Sequence, residues 1–288
     1  MSLVQLAIAA IAVSVALSAV MATAWCVQQT TGKSGWVDVS WSFGVGGAAF
    51  VAALWPIESD WPQWRQALVA ALIAGWGLRL GLHIAERNRA SGDDPRYRQL
   101  AIAWGHAAPR RMFLFLQSQA AVGMILVLSV ALAAHNAHPG LRAQDVAGVA
   151  ILLAAIAGEA VADRQLRAFV REPAHRGAVC DVGLWQFSRH PNYFFEWLSW
   201  LAYPVLAIEF DGDNDLGWLA LAAPVCMYWA LVHVSGIPPL EQHMMHTRGD
   251  AFRSYQARVP ALFPVSPAPQ VAPSEDRRWY LKWSPAAA

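Results

Sequence analysis

MFLFLQSQAAVGMILVLSVALAA, residues 112–134, carries no charged side chain and follows directly on Arg110-Arg111. A bilayer core about 30 Å thick takes about 20 apolar residues in a helix, so this stretch is long enough to cross one. Comparable runs lie at 3–27, 36–57, 66–86, 145–163, 193–210 and 216–236, which makes seven spans. The whole chain agrees: of its 288 residues 56% are hydrophobic and only 14% charged, whereas a soluble domain carries roughly 25% charged residues. That composition excludes a disordered chain, a disulfide scaffold and a nucleic-acid binder. Cys26, Cys180 and Cys226 are too irregularly spaced for a zinc or disulfide framework. The first run has no Lys or Arg before it and exceeds the length of a signal-peptide core, so it reads as a retained helix.

Basic residues set the expected orientation. Eighteen of the 21 Lys and Arg residues fall in segments 28–35, 87–111, 164–192 and the tail after 236. The alternate connections hold only Arg65 and Arg142, Arg79 lies inside the third run, and the connection 211–215 is acidic. Seven helices threaded in order reproduce this split. The expected fold is therefore all-α: a polytopic membrane helix bundle of about seven transmembrane helices, N-terminus outside and C-terminus cytosolic. Residues 1–263 form one transmembrane domain, and 264–288 a Pro-rich tail whose Arg-Arg-Trp-Tyr-Leu-Lys-Trp suits a membrane interface.

Residues able to do chemistry concentrate on the basic side. In Asp163–Arg171, Arg167 and Arg171 share a helix face, and Asp163 is an acid inside an Arg cluster, which calls for a partner. Positive-inside anchoring also accounts for such a cluster. In LWQFSRHPNYFFE, residues 184–196, Pro191 suits a first helical turn. A helix N-terminus beside Arg189 and His190 is a natural seat for a phosphate or carboxylate. The plainer alternative is Ser188 as cap with Arg189 and His190 as interface anchors. Glu196 lies one turn into an apolar run, where a charge is costly. In 239–264 stand Glu241, His243, His246, Arg248 and Tyr255; the two histidines lack a third ligand at helical spacing, so no metal site is expected. Arg79, His83 and Glu86 form a polar stripe on the third run. Gly44-Val-Gly46-Gly47 lies inside an apolar helix and reads as helix packing, not as a Rossmann loop.

Ser188-Arg189-His190-Pro191-Asn192-Tyr193 with Glu196, then Glu241, Arg248-Gly249, Tyr255 and Pro264, resemble the steroid 5α-reductase-like membrane enzymes. Trp36–Trp41 and Arg79…Arg87…Asp94-Pro-Arg-Tyr97 resemble the bacterial branch of that superfamily, mostly of unassigned substrate. The likeness covers about 30–265. Isoprenylcysteine and phospholipid methyltransferases carry a related signature. The resemblance implies a cytosol-facing NADPH cavity built by the C-terminal half. Carried over by motif, it would be lined by Asp163, Arg167, Arg171, Trp185, Arg189, His190, Asn192, Tyr193, Glu196, Glu241, Arg248 and Tyr255. Arginines would form a cationic cup for the phosphates, since their planar fork suits phosphate. Steroid reductases polarise an enone with a Gln-Glu pair in the second span and a Tyr in the third. Here the second span offers only Asp38, Ser40 and Ser42. His83 or Tyr97 is then the expected proton donor, tuned by Glu86 or Asp38.

Two enzymatic readings follow. One is an NADPH-dependent reductase of an activated double bond in a lipophilic, steroid- or isoprenoid-like substrate, embedded among membrane lipids in a bacterial inner membrane. The other is an S-adenosylmethionine-dependent lipid or prenyl methyltransferase, whose sulfonium would welcome Glu196 and Glu241 but not the Arg cluster. A non-catalytic transporter or receptor is a third class; no Lys lies in the last span to form a retinal Schiff base. The oligomeric state is left open.

Overall fold

The structure is a computed structural model that describes residues 1–56, 63–91, 94–210 and 215–266. Among these residues every regular element is helical. The long helices are α1 (Leu3–Thr31), α2 (Trp36–Leu54), α3 (Gln63–Ser91), α5 (Ala108–Ala134) and α6 (Ala143–Arg171). Between α3 and α5 lies the short α4 (Pro95–Trp104), whose N-cap Asp94 accepts from the amide of Arg96 (2.9 Å). Then come α7 (Pro191–Ala207), α8 (Ala222–Trp229), α9 (Ile237–Arg248) and α10 (Asp250–Gln256).

Among the described residues six helical stretches are long and apolar enough to cross a bilayer: Leu3–Thr31, Trp36–Leu54, Gln63–Arg89, Arg96–Ala134, Ala143–Arg171 and Asp215–Arg248. They make the chain an integral membrane protein. The expected span at 193–210 is α7, 17 residues long with Pro204 inside it. At 1.5 Å per residue it reaches about 26 Å, short of a hydrocarbon core. The last stretch is not one uniform helix either: a 3₁₀ segment, Asp215–Leu221, feeds α8, which passes through a π turn, Ala230–Val234, before α9. The tail from 267 onward and the acidic residues 211–214 lie outside the described residues.

Helices α6 and α7 pack most extensively, then α2 on α3, and α1 on α5. Small residues permit the closest approach: a Cβ at Gly46 would stand 3.1 Å from the Gly77 Cα, so α2 and α3 cross nearly backbone to backbone. The buried core includes Leu17, Met21, Trp76, Met112, Leu126 and Trp200, with Trp76 and Trp200 edge to face at 4.9 Å. The two cations that break the expected charge split are both paired with Asp145. Arg65 is fully buried and paired with Asp145, and its Nη2 donates to the carbonyls of His138 (3.3 Å) and Gly140 (3.2 Å). Arg142 donates to Asp145 (2.9 Å) and the Leu206 carbonyl (2.6 Å). This cluster ties the starts of α3 and α6 to the end of α7, at the end of the bundle opposite the basic segments.

Gly46→Val or Gly77→Val should force α2 and α3 apart and cost about 1–3 kcal/mol, read as a lower unfolding temperature in detergent. Gly47→Val, where a Cβ meets nothing within 4 Å, should leave it unchanged.

Candidate functional site

A cavity of about 280 Å³ opens among α2, α3, α4, α5, α6, α7 and the π turn, toward the end that carries the basic segments. Helical spacing arranges its polar lining in two layers. The outer layer holds Asp38, His83, Arg87, Asp163 and Asn192; one turn further in are Ser42, Glu159 and Glu196. Leu80, Leu100, Phe115, Val122, Met227 and Leu231 supply an apolar wall.

Each polar group is held by a neighbour. Arg79 forms ion pairs with both Glu159 and Asp163, joining α3 to α6. His83 Nε2 stands 3.4 Å from Asp163 Oδ2, and the Asn192 amide donates to Asp163 Oδ1 (3.3 Å). Glu196 accepts the indole N–H groups of Trp76 and Trp200, each at 2.9 Å. On another wall the Tyr97 hydroxyl donates to Asp38 Oδ1 (2.6 Å) while Arg96 holds Asp38 Oδ2 (2.5 Å). Gln119 Nε2 lies 3.4 Å from the Tyr97 oxygen. Asp38 occupies the first turn of α2, where the helix dipole favours a carboxylate. Just outside the span, burial alone would raise the Asp94 carboxyl; hydrogen bonds and charge from Arg96 outweigh it and hold it below the ordinary range.

The cavity therefore gathers Asp38, His83, Tyr97, Asp163, Asn192, Tyr193 and Glu196. The other candidates lie elsewhere. Glu86 is 68% exposed and sits 3.7 Å from Arg167 on the surface. The expected cationic cup does not form over the cavity: Arg164, Arg167, Arg171 and Arg176 are exposed and none lines it. These exposed guanidinium groups, at and beyond the end of α6, stay hydrated at the surface. The cations on the wall come from α3 and α4 instead, as Arg87 and Arg96. Trp185 is buried against Phe169 and Cys180, its N–H donating to the Ala162 carbonyl (3.0 Å). Arg248 reaches backbone carbonyls of Ala178 (3.3 Å) and Thr247 (3.4 Å).

Arg189, His190, Glu241 and Tyr255 form a separate clamp. The Glu241 carboxylate accepts from Arg189 Nε (2.7 Å) and Nη2 (3.2 Å), and from the Gln256 amide (2.7 Å), with His190 Nε2 at 2.9 Å. Arg189 also donates to the carbonyls of Gln256 (3.3 Å) and Val259 (2.5 Å). Ser188 donates to the Leu262 carbonyl (2.8 Å), and the Tyr255 hydroxyl to the carbonyls of Trp185 and Ser188. The Val265 amide bonds the Phe187 carbonyl (3.0 Å), so the chain stays docked beyond residue 263. The clamp fixes the start of α7, where His190 stacks on Tyr193 at 5.4 Å. The Ser-Arg-His-Pro-Asn-Tyr run thus divides at Pro191: residues before it grip the C-terminal helices, and residues after it face the cavity. Burial pushes the His190 imidazole below its ordinary value, against the upward pull of Glu241.

Sequence reasoning missed Glu159 and the π turn. Glu159 had a signal, since an acid inside an apolar span is a functional candidate. The π turn had a weaker one in Pro238-Pro239, which cannot donate to the carbonyls one helical turn earlier. Gly236 closes the turn; a Cβ there would meet the Leu231 carbonyl oxygen at 2.5 Å.

These features define an integral membrane helix bundle with a part-polar chamber that opens near its basic end. A family model described as "Protein of unknown function (DUF1295)" matches residues 24–259, most of the chain, and the chain belongs to that family. No curated protein and no solved structure matches it.

Glu241→Ala should leave Arg189 unpaired and cost about 3–5 kcal/mol, read as a large fall in unfolding temperature. Acidification below about pH 6.5 should also lower stability, because the unfolded chain then takes up a proton that buried His190 resists. That component should vanish in His190→Gln.

Proposed function

We propose that the chain is an NADPH-dependent reductase of an activated double bond in a lipophilic, steroid- or isoprenoid-like substrate, of the steroid 5α-reductase-like type. The same reading takes α7 as a seventh, shorter crossing, with the N-terminus outside, the C-terminus cytosolic and the protein in a bacterial cytoplasmic membrane. One observation carries it: a positioned hydroxyl, Tyr97 on Asp38, shares an otherwise apolar cavity with the carboxamide of Asn192, itself held by Asp163.

The residues fit the cofactor in part. The cavity has room for a nicotinamide ring and part of a lipophile, not for a whole dinucleotide. Glu159, Asp163, Arg167 and Arg171 are spaced four apart along one face of α6. That face leads from the cavity to the exposed guanidinium groups, which would hold the phosphates outside it. NADPH would supply the hydride. Tyr97 would hand a proton to the substrate, with Asp38 and Arg96 fixing the phenol and His83 as the second titratable group within the cavity. An apolar wall formed by Phe115, Val122 and Leu231 keeps water from the reacting centre.

A second reading has its own support. The carboxylates inside the cavity and the arginines outside it suit the sulfonium of S-adenosylmethionine, which carries no phosphate.

Purified protein in detergent should unfold at a higher temperature with NADPH, by mass action. Stabilisation by S-adenosylmethionine alone would transfer the assignment to the methyltransferase. Arg167→Ala should weaken NADPH more than NADH, whereas equal weakening removes Arg167 from the 2′-phosphate. Tyr97→Phe should keep the NADPH response and lower turnover roughly 100-fold.

A further inference from the structure

The inner end of the cavity has a charge pattern that hydride transfer leaves unused. Two carboxylates, Glu159 and Glu196, reach it, and among the described residues the guanidinium paired there is Arg79. Arg79 is shared between Glu159 and Asp163. Among the described residues Glu196 is hydrogen-bonded by the two indole donors alone. Glu159 is 4% exposed and lines the cavity. Its carboxylate meets Arg79, a partner it shares with Asp163. Other groups at this depth are committed: the Ser42 hydroxyl donates to the Asp38 carbonyl (2.8 Å) and the Trp41 indole to the Gln119 carbonyl (3.1 Å). Surplus carboxylates in an apolar bundle are costly unless something positive or donor-rich joins them. The Trp41 ring beside them adds an aromatic surface suited to a cation.

We infer that the inner end of the cavity recognises a cationic or hydrogen-bond-donating head group on a lipophilic ligand, with Glu159 as its principal acceptor and Glu196 beside it. The inference rests on reading this cavity as the ligand chamber, and it narrows the ligand to lipophiles that carry an ammonium, an amide or a hydroxyl.

Three rigid cages that differ only in head group test it: 1-aminoadamantane, 1-adamantanol and 1-methoxyadamantane. Each is titrated against the full-length protein in detergent, following thermal unfolding. The amine and the alcohol should act at about tenfold lower concentration than the ether, as expected for one hydrogen bond to a charged acceptor. In Glu159→Gln the advantage of the amine should collapse while the alcohol keeps part of its own. Equal potency of the three cages in the native protein overturns the inference, and needs no variant to fold. An unchanged amine advantage in Glu159→Gln overturns it as well, because a bound proton then balances the site. NADPH titrated into the same sample separates the two readings. Cage discrimination without an NADPH response removes the reductase and leaves this site standing; an NADPH response with no discrimination does the reverse.

Discussion

Arg79 is the joint on which the site depends. It sits well inside α3, at a depth where a lone guanidinium would be expensive, and it is tolerated because α6 brings Glu159 and Asp163 to it from successive turns. Removing either helix would leave buried charge without a partner. The ion pairs therefore fix the rotation of α3 and α6 about their axes as well as their separation. Once those rotations are set, His83 faces Asp163, Leu80 faces the cavity, and Glu86 and Arg167 meet at the outer rim. Asp163 then reaches across to Asn192, and α7 enters the same arrangement.

A second constraint holds the other side. The start of α7 is short of helical hydrogen-bond partners and would fray if it stood alone. Glu241 prevents this by accepting from side chains of α10 and of the strand of chain before α7. The C-terminal helices are thus tied to the start of α7, and Pro239 of α9 reaches the cavity wall. Residues of a single short motif divide between two tasks: Arg189 and His190 bind the C-terminal helices while Asn192, Tyr193 and Glu196 turn inward. Residues beside each other in a motif need not share a task, since proline at 191 marks a change of backbone direction.

Legibility in the sequence followed the same physics. Asp38, His83, Tyr97, Asp163, Asn192, Tyr193 and Glu196 were readable because polar groups in apolar spans are rare and must face the bundle interior. Arg167, Arg171 and Arg248 do not line the cavity, which sequence could not foresee because charge clusters at helix ends look the same whether they bind a ligand or simply stay hydrated. Glu86 was drawn in by its spacing from His83, yet the helix turns it toward the surface. Trp185 and Tyr255 carry no pattern that separates a ligand platform from a core contact; only their hydrogen bonds to the Ala162, Trp185 and Ser188 carbonyls decide it.

Sequence by itself determined the all-helical membrane class and located six of the expected spans, because the cost of unpaired backbone in lipid leaves the chain little choice. It also located most of the polar residues that line the chamber. Tertiary structure alone decided which arginines reach that chamber, that Glu159 joins Asp163 on Arg79, and that Arg189 and His190 grip Glu241. Those outcomes depend on how far each helix is rotated and where its neighbour ends, and long-range packing sets both.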